Sequence, residues 1–218
     1  MQDSLEQEVW FILGDLFSHG LTGYLADFTA WTKMELKKKD LSYEKINDKL
    51  ISDILQNLKK DNKLIWKVNP DSKELCKDFT NKTVPSSDNY DILGAFEFSP
   101  IQYVRARLDH FLESNGISED DRLDTGIATI EAIENAVKYG DGRNVNIQAV
   151  IEGKKLKLSI TNYIKEFDLE SEIERGKYSV STTLMRGIMV MQKLFSHTDL
   201  QILEDKRQAR LYAEKIFN

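Results

Sequence analysis

The stretch that decides the fold is I-E-A-I-E-N-A-V-K-Y-G, residues 130–140. At about 100° per residue, Leu123, Ile127, Ile130 and Val137 make one stripe of a helix. Glu134 falls inside or beside that stripe, and Glu131 and Asn135, spaced i and i+4, stack on its margin. Ala128, Ala132 and Ala136 lie beyond them and leave room for something to approach. A carboxylate one turn from a carboxamide can accept a proton or orient a water, while the amide oxygen is a hard ligand suited to Mg²⁺. The same pair also fits a solvated margin beside the core, because polar margins are the rule on amphipathic helices. Spacing alone leaves both readings open, and Glu134 stands either as a second acid or as a buried partner of Lys138.

Outward from that helix the pattern is mixed. Ser118-Glu119-Asp120-Asp121 opens it with acids suited to its positive end, and Gly140 closes it. Upstream, Ile92 to Phe98 reads as a strand. Ser99-Pro100 then sets a cap and an N1 proline before a helix with Ile101, Val104, Leu108, Phe111 and Leu112 on one face, ended by Asn115-Gly116. Downstream, Val145 to Ile151 and Leu156 to Ile160 alternate and are joined as a hairpin by Glu152-Gly153-Lys154-Lys155. Residues 162–181 read as a long loop, followed by a helix over 183–195 and strands over 199–204 and 208–215. This order predicts an α+β fold with helices layered on one face of a largely antiparallel sheet.

The first third of the chain is different. Leu5, Val9, Ile12, Leu13 and Leu16 recur at helical spacing behind a Ser4-x-x-Gln7 capping box, with His19-Gly20 as a stop. Helices over 24–39 and 43–60 follow, the second capped by Ser42 and carrying Ile46, Leu50, Ile54 and Leu58. L-I-W-K-V at 64–68 suggests a strand running into the turn Asn69-Pro70-Asp71-Ser72. The expected organisation is a mostly helical module over 1–80, a polar linker over 81–90 and a second domain over 91–218. The lysines at 45, 49, 59 and 60 are mixed with Glu44, Asp48 and Asp53, which fits a solvated face, so nucleic acid is not the expected partner. Trp10, Trp31 and Trp66 are expected in packing roles.

Composition bounds the rest. The chain has 218 residues, 41% hydrophobic and 30% charged, with a net charge of −6, the balance of an ordinary globular protein. No apolar run reaches the roughly 18 residues needed to span a bilayer, so no membrane segment is expected. Residues 1–8 lack the basic start and apolar segment of a secretory leader. A single cysteine, Cys76, excludes an internal disulfide and points to a reducing cytoplasm. His19, His110 and His197 are scattered, and no zinc site is expected.

E-A-I-E-N-A-V-K-Y-G resembles the N box of the GHKL (Bergerat-fold, histidine-kinase-like) ATPases, and is most similar to the branch of anti-sigma-factor serine kinases, where the box reads E-A-x-x-N-A-x-x-H-G. The resemblance spans roughly residues 88–218 and implies a two-layer α/β sandwich with ATP and Mg²⁺ as cofactors. It makes Glu131 the general base and Asn135 the Mg²⁺ ligand, with Tyr139 at the usual His position. The family's D-x-G-x-G-F-D segment, whose Asp accepts from the adenine amino group, corresponds to N-Y-I-K-E-F-D. Asn162 replaces the Asp, Ile164 and Glu166 replace the glycines, and Phe167-Asp168 is kept. The G-x-G-L pattern corresponds to Met185-Arg186-Gly187-Ile188. Lys138, Asn162, Arg186 and Gly187 thus join Asn135 as nucleotide-binding residues, and the preceding acidic loop stands where the family has its ATP lid.

Two functions follow from the resemblance. One is an ATP-binding regulator that switches between protein partners, sigma-factor-like or antagonist-like, and phosphorylates a serine. The other is a protein-binding module that keeps the fold without the chemistry. Family members also pair through the sheet side of the domain, so a homodimer is implied.

Overall fold

The computed structural model describes residues 2–60, 66–68, 75–77, 85–165, 187–203 and 206–217. The chain divides into two compact units. One comprises Met1–Val84 with Glu97–Phe111, the other Pro85–Phe96 with Leu112–Asn218.

The first unit is helical. Helix α1 spans Gln2–Ser18, α2 Leu25–Lys38 and α3 Asp48–Lys60, and a small antiparallel pair, β1 (Trp66–Val68) with β2 (Leu75–Lys77), follows. Helix α1 already runs at Gln2, so Ser4 lies within the helix and not at its cap. Gly20, at φ 75°, ends the turn after α1, and a Cβ there would fall 2.0 Å from His110 Cγ, so only glycine leaves room for that ring. Helix α3 begins later than its hydrophobic spacing predicts. The Asn47 side chain accepts from the Leu50 amide and caps it, while Ile46 is buried ahead of the helix.

Helix α4, Pro100–Ser114, starts on the expected proline and contributes its first residues to this unit. The core is aromatic: Phe17, Phe28, Trp31 and Tyr103 follow one another at centroid spacings of 4.8, 5.0 and 5.7 Å. Trp31 Nε1 donates to Ser99 O at 3.1 Å, so its polar edge is satisfied although the ring is fully buried.

The second unit is a five-stranded antiparallel sheet with helices on one face. Strand β3 is Ser87–Leu93, β4 Gly140–Glu152, β5 Lys155–Ile164, β6 His197–Leu203 and β7 Gln208–Ile216, in the order β3-β4-β5-β7-β6. Strand β3 lies earlier than the apolar run suggests, entering the polar 81–90 segment. Phe96–Phe98 is a 3₁₀ turn. Only Ile92 and Leu93 of β3 are buried, because Asn89 and Asp91 face the open side and accept from Asn146 Nδ2 at 3.0 and 2.9 Å. The β4–β5 hairpin turns at Gly153, φ 61°, as its alternation predicts.

Alternation sorts the central strands into two faces. Val145, Ile147 and Ala149, then Leu156, Leu158, Ile160 and Asn162, then Leu211, Ala213 and Lys215 form the buried face. On the open face lie Lys155, Tyr212 and Glu214, joined by a 3.0 Å Lys155–Glu214 ion pair and a 2.6 Å hydrogen bond from the Tyr212 hydroxyl to Glu214.

Helix α5, Glu119–Tyr139, covers β4, β5 and β7. Ser118 Oγ accepts from Asp121 N at 3.3 Å, the expected N-cap. The buried face, however, is Thr125, Ala128, Thr129, Ala132, Ile133, Ala136 and Val137. Leu123 and Ile127 are exposed, so the stripe read from the large apolar residues is not the packed one. The small residues let the helix lie close to the sheet, and the alanines read as leaving room for an approaching group in fact form this contact. The Thr125 and Thr129 hydroxyls donate to the carbonyls of Asp121 and Thr125 on their own helix, at 2.6 and 2.7 Å, which makes them tolerable there. Among the described residues, 187–194 are also helical and belong to α6. The loop and lid read over 162–181 lie mostly outside the described residues, with β5 continuing to Ile164. No helix among the described residues is long and apolar enough to cross a membrane.

Candidate functional site

Three residues singled out in the sequence meet at one point. Glu131 and Asn135 sit one turn apart on α5, both half-buried, and Gly187 of α6 comes against them. A Cβ on Gly187 would lie 2.7 Å from Asn135 Nδ2 and 3.3 Å from Glu131 Oε2. A bare backbone is therefore what lets α6 approach α5 so closely here. Asn135 Nδ2 is itself buried and has no hydrogen-bond partner among the described residues. An amide left in that state costs about 1–3 kcal/mol, so a group that satisfies it gains that much on arrival.

Asn162 joins from the sheet. It ends the buried row of β5 and is itself buried. Its Nδ2 donates to Ala136 O at 3.4 Å and to Tyr163 O at 3.3 Å, tying β5 to the residue after Asn135. Gly140 allows the same close approach, because a Cβ there would fall 2.2 Å from Ala136 O. The end of α5, the start of β4 and Asn162 are thereby locked around one carbonyl.

Two further residues singled out in the sequence, Lys138 and Glu134, face solvent. Lys138 is exposed, with its ammonium 5.4 Å from the centroid of the neighbouring Tyr139 ring. Glu134 is exposed, which excludes it as a buried partner of Lys138. Arg186 lies outside the described residues.

These atoms fit a Mg²⁺–phosphate group. A carboxylate and a carboxamide offer hard oxygens, the free amide offers a donor, and the glycine offers backbone that a phosphate can approach closely. The chemistry open to the cluster is to hold a cation, accept phosphate oxygens and take a proton at Glu131 Oε2.

The residue that the sequence reading missed is Lys215. Leu211, Ala213 and Lys215 alternate on β7, so period two alone places the lysine in the buried row, a signal available in the sequence. Its Nζ lies 3.4 Å from Asp124 Oδ2 and 3.7 Å from Asp121 Oδ1, both on α5.

A family model described as a histidine kinase-like ATPase domain matches residues 99–212, more than half of the chain. No curated protein matches. Among solved structures, the Acinetobacter baumannii histidine kinase AdeS is similar over 87% of this chain and 93% of its own, at 10% identity and a TM-score of 0.33, too slight a likeness to carry an inference.

Proposed function

This chain belongs to the histidine kinase-like ATPase family, and on that premise we propose that it is an ATP-binding regulatory protein of the anti-sigma-factor serine kinase type, acting by partner switching. Membership implies ATP use, with Mg²⁺ as the usual companion. The observation that carries the reading is the convergence of Glu131, Asn135 and Gly187 on one point with an unsatisfied amide.

In this reading ATP, when bound, supplies the phosphoryl group and most of the charge. Asn135 would hold Mg²⁺, Gly187 would admit phosphate close to the backbone of α6, and Asn162 would line the base end. Lys138 and Arg186 add positive charge beside the nucleotide. Glu131 Oε2 orients a water or a serine hydroxyl and takes its proton. Phosphoryl transfer depends mainly on positioning and charge neutralisation, so losing one Mg²⁺ ligand is severe. The partner is a sigma-factor-like or antagonist-like protein that offers the serine, in the cytoplasm, and a homodimer through the sheet side belongs to the same proposal.

A second reading has its own support. Asn162 turns its amide nitrogen onto two backbone carbonyls, and Ile164 replaces a glycine of the base-binding segment, as in a docking module without nucleotide chemistry. Calorimetric titration of ATP·Mg into the parent and Asn135→Ala separates the two. The ATP-binding reading expects binding that the substitution weakens at least tenfold, about 1.4 kcal/mol. Equal affinities remove Asn135 from the site, and no binding by either protein supports the docking module.

A further inference from the structure

We propose that Lys215 is a positioning residue, pinning the start of α5 to the sheet and so setting where Glu131 and Asn135 lie. Much of the buried face of α5 is small. Its first half contributes only Thr125, Ala128 and Thr129, while Leu123 and Ile127 point to solvent. Small residues fix how closely a helix approaches a sheet, but they interlock poorly and leave its axial position weakly defined.

Two polar contacts supply that definition, one at each end. At the start, buried Lys215 reaches Asp124 and Asp121, and the Asp121 carboxylate is itself aimed by a 3.1 Å hydrogen bond from Ser118 Oγ, the N-cap. Toward the end, Asn162 holds Ala136 O. The spans agree. Lys215 pairs with Leu156 in the sheet register, and from Leu156 to Asn162 strand β5 runs about 20 Å. From Asp121 to Ala136 helix α5 rises about 22 Å. The helix is thus held at two points along β5, with Glu131 and Asn135 near the second. Lys215 thus joins this helix to the sheet by two ion pairs, with Asp124 and Asp121.

Releasing the first pin lets α5 slide or rotate over its alanines, and the displacement is felt at the site. Removing one partner of a buried pair costs stability, because it leaves the other charge uncompensated. That cost is limited here: a methionine keeps the lysine stem's packing, Asp124 is half exposed, and Asp121 retains the Ser118 bond at a helix N-terminus, where an acid is favoured.

The test uses the full chain as Lys215→Met, Lys215→Arg and the milder Asp124→Asn. Ile92→Ala is the control for general destabilisation, since Ile92 is buried on β3, at the opposite side of the sheet order from β7. Two readouts are taken: the Asn135 side-chain amide signals by NMR without nucleotide, and the affinity for ATP·Mg. Lys215→Met is expected to shift the Asn135 signals and weaken ATP·Mg about tenfold or more, with Lys215→Arg returning toward the parent and Asp124→Asn in between. Ile92→Ala is expected to lower the thermal midpoint and leave the Asn135 signals in place. Parent-like Asn135 signals in folded Lys215→Met overturn the proposal. If that variant does not fold, Asp124→Asn decides by the same signals. The affinity readout rests on the ATP-binding reading, whereas the NMR readout does not. A parent that fails to bind ATP therefore defeats that reading and leaves the pin decided by NMR.

Discussion

Gly187→Ala is the perturbation the geometry resolves most sharply. The new Cβ would stand 2.7 Å from Asn135 Nδ2, where ordinary contact begins near 3.4 Å, so the pair must separate by about 0.7 Å. The obstructing atom ends a side chain, and Asn135 can turn aside or α6 can shift outward. Relief by the side chain makes the folding cost small, about 1 kcal/mol, the low end for an added methyl in a packed place. The cost to function is larger, because the side chain that moves carries the proposed Mg²⁺ ligand, Asn135 Oδ1, and misplacement on the ångström scale costs up to about 100-fold. The expected result is an ATP·Mg affinity lowered at least tenfold, about 1.4 kcal/mol, with a thermal midpoint within a few degrees of the parent. Calorimetric titration and thermal unfolding measure the two quantities on the same sample. Parent-like affinity would refute the reasoning, showing that the nucleotide does not use the space between Gly187 and Asn135.

Other substitutions test the architecture around the site. Ile133→Ala, on the sheet-facing side of α5, should cost about 2–5 kcal/mol in urea unfolding, while Leu123→Ala on the exposed side should stay within about 0.5 kcal/mol. The reverse ranking would restore the face suggested by the large apolar residues. Gly140→Ala sets a Cβ against the Ala136 carbonyl, part of the backbone and unable to turn away, and should cost about 3 kcal/mol or more by the same unfolding assay. A cost under 1 kcal/mol would mean that α5 and β4 do not meet so tightly. On the open sheet face, the hydrogen bond from Tyr212, then that from Lys155, holds the Glu214 carboxyl below its ordinary range, and the same Tyr212 bond pushes the phenol up to about 12. The depressed acid contributes its stability above its unfolded value, about 4.3, and loses it as pH falls through the folded one. Tyr212→Phe should therefore move the Glu214 titration upward in a carboxyl NMR experiment, and an unchanged titration would dismiss the bond.

The sequence was most legible where one face of an element is apolar and the other polar. The β4–β5 hairpin and the strands after it could be placed by alternation alone, because their open face carries residues such as Lys155, Ser159 and Tyr212. Strand β3 was harder to see. As an edge strand with only Ile92 and Leu93 buried, its first residues resemble a linker. Helix α5 misleads for the opposite reason: its packing is carried by alanine and threonine, which hydrophobic periodicity underweights, while Leu123 and Ile127 sit in solvent. Glu131 and Asn135 were identifiable by type and spacing, but their meeting with Gly187 is a tertiary contact between separate helices that no local pattern encodes. Lys215 was readable only by trusting period two over the expectation that lysines face water. Asn47 displaced Ser42 as the cap of α3 because its side chain reaches the Leu50 amide.

The most direct measurement is a crystal structure of the full chain with Mg²⁺ and a non-hydrolysable ATP analogue. The account predicts Mg²⁺ bound by Asn135 Oδ1 at about 2.0–2.1 Å, phosphate oxygens beside the backbone of Gly187, and Glu131 Oε2 facing the terminal phosphate. A nucleotide bound elsewhere, or one that leaves Asn135 without a metal contact, would contradict it.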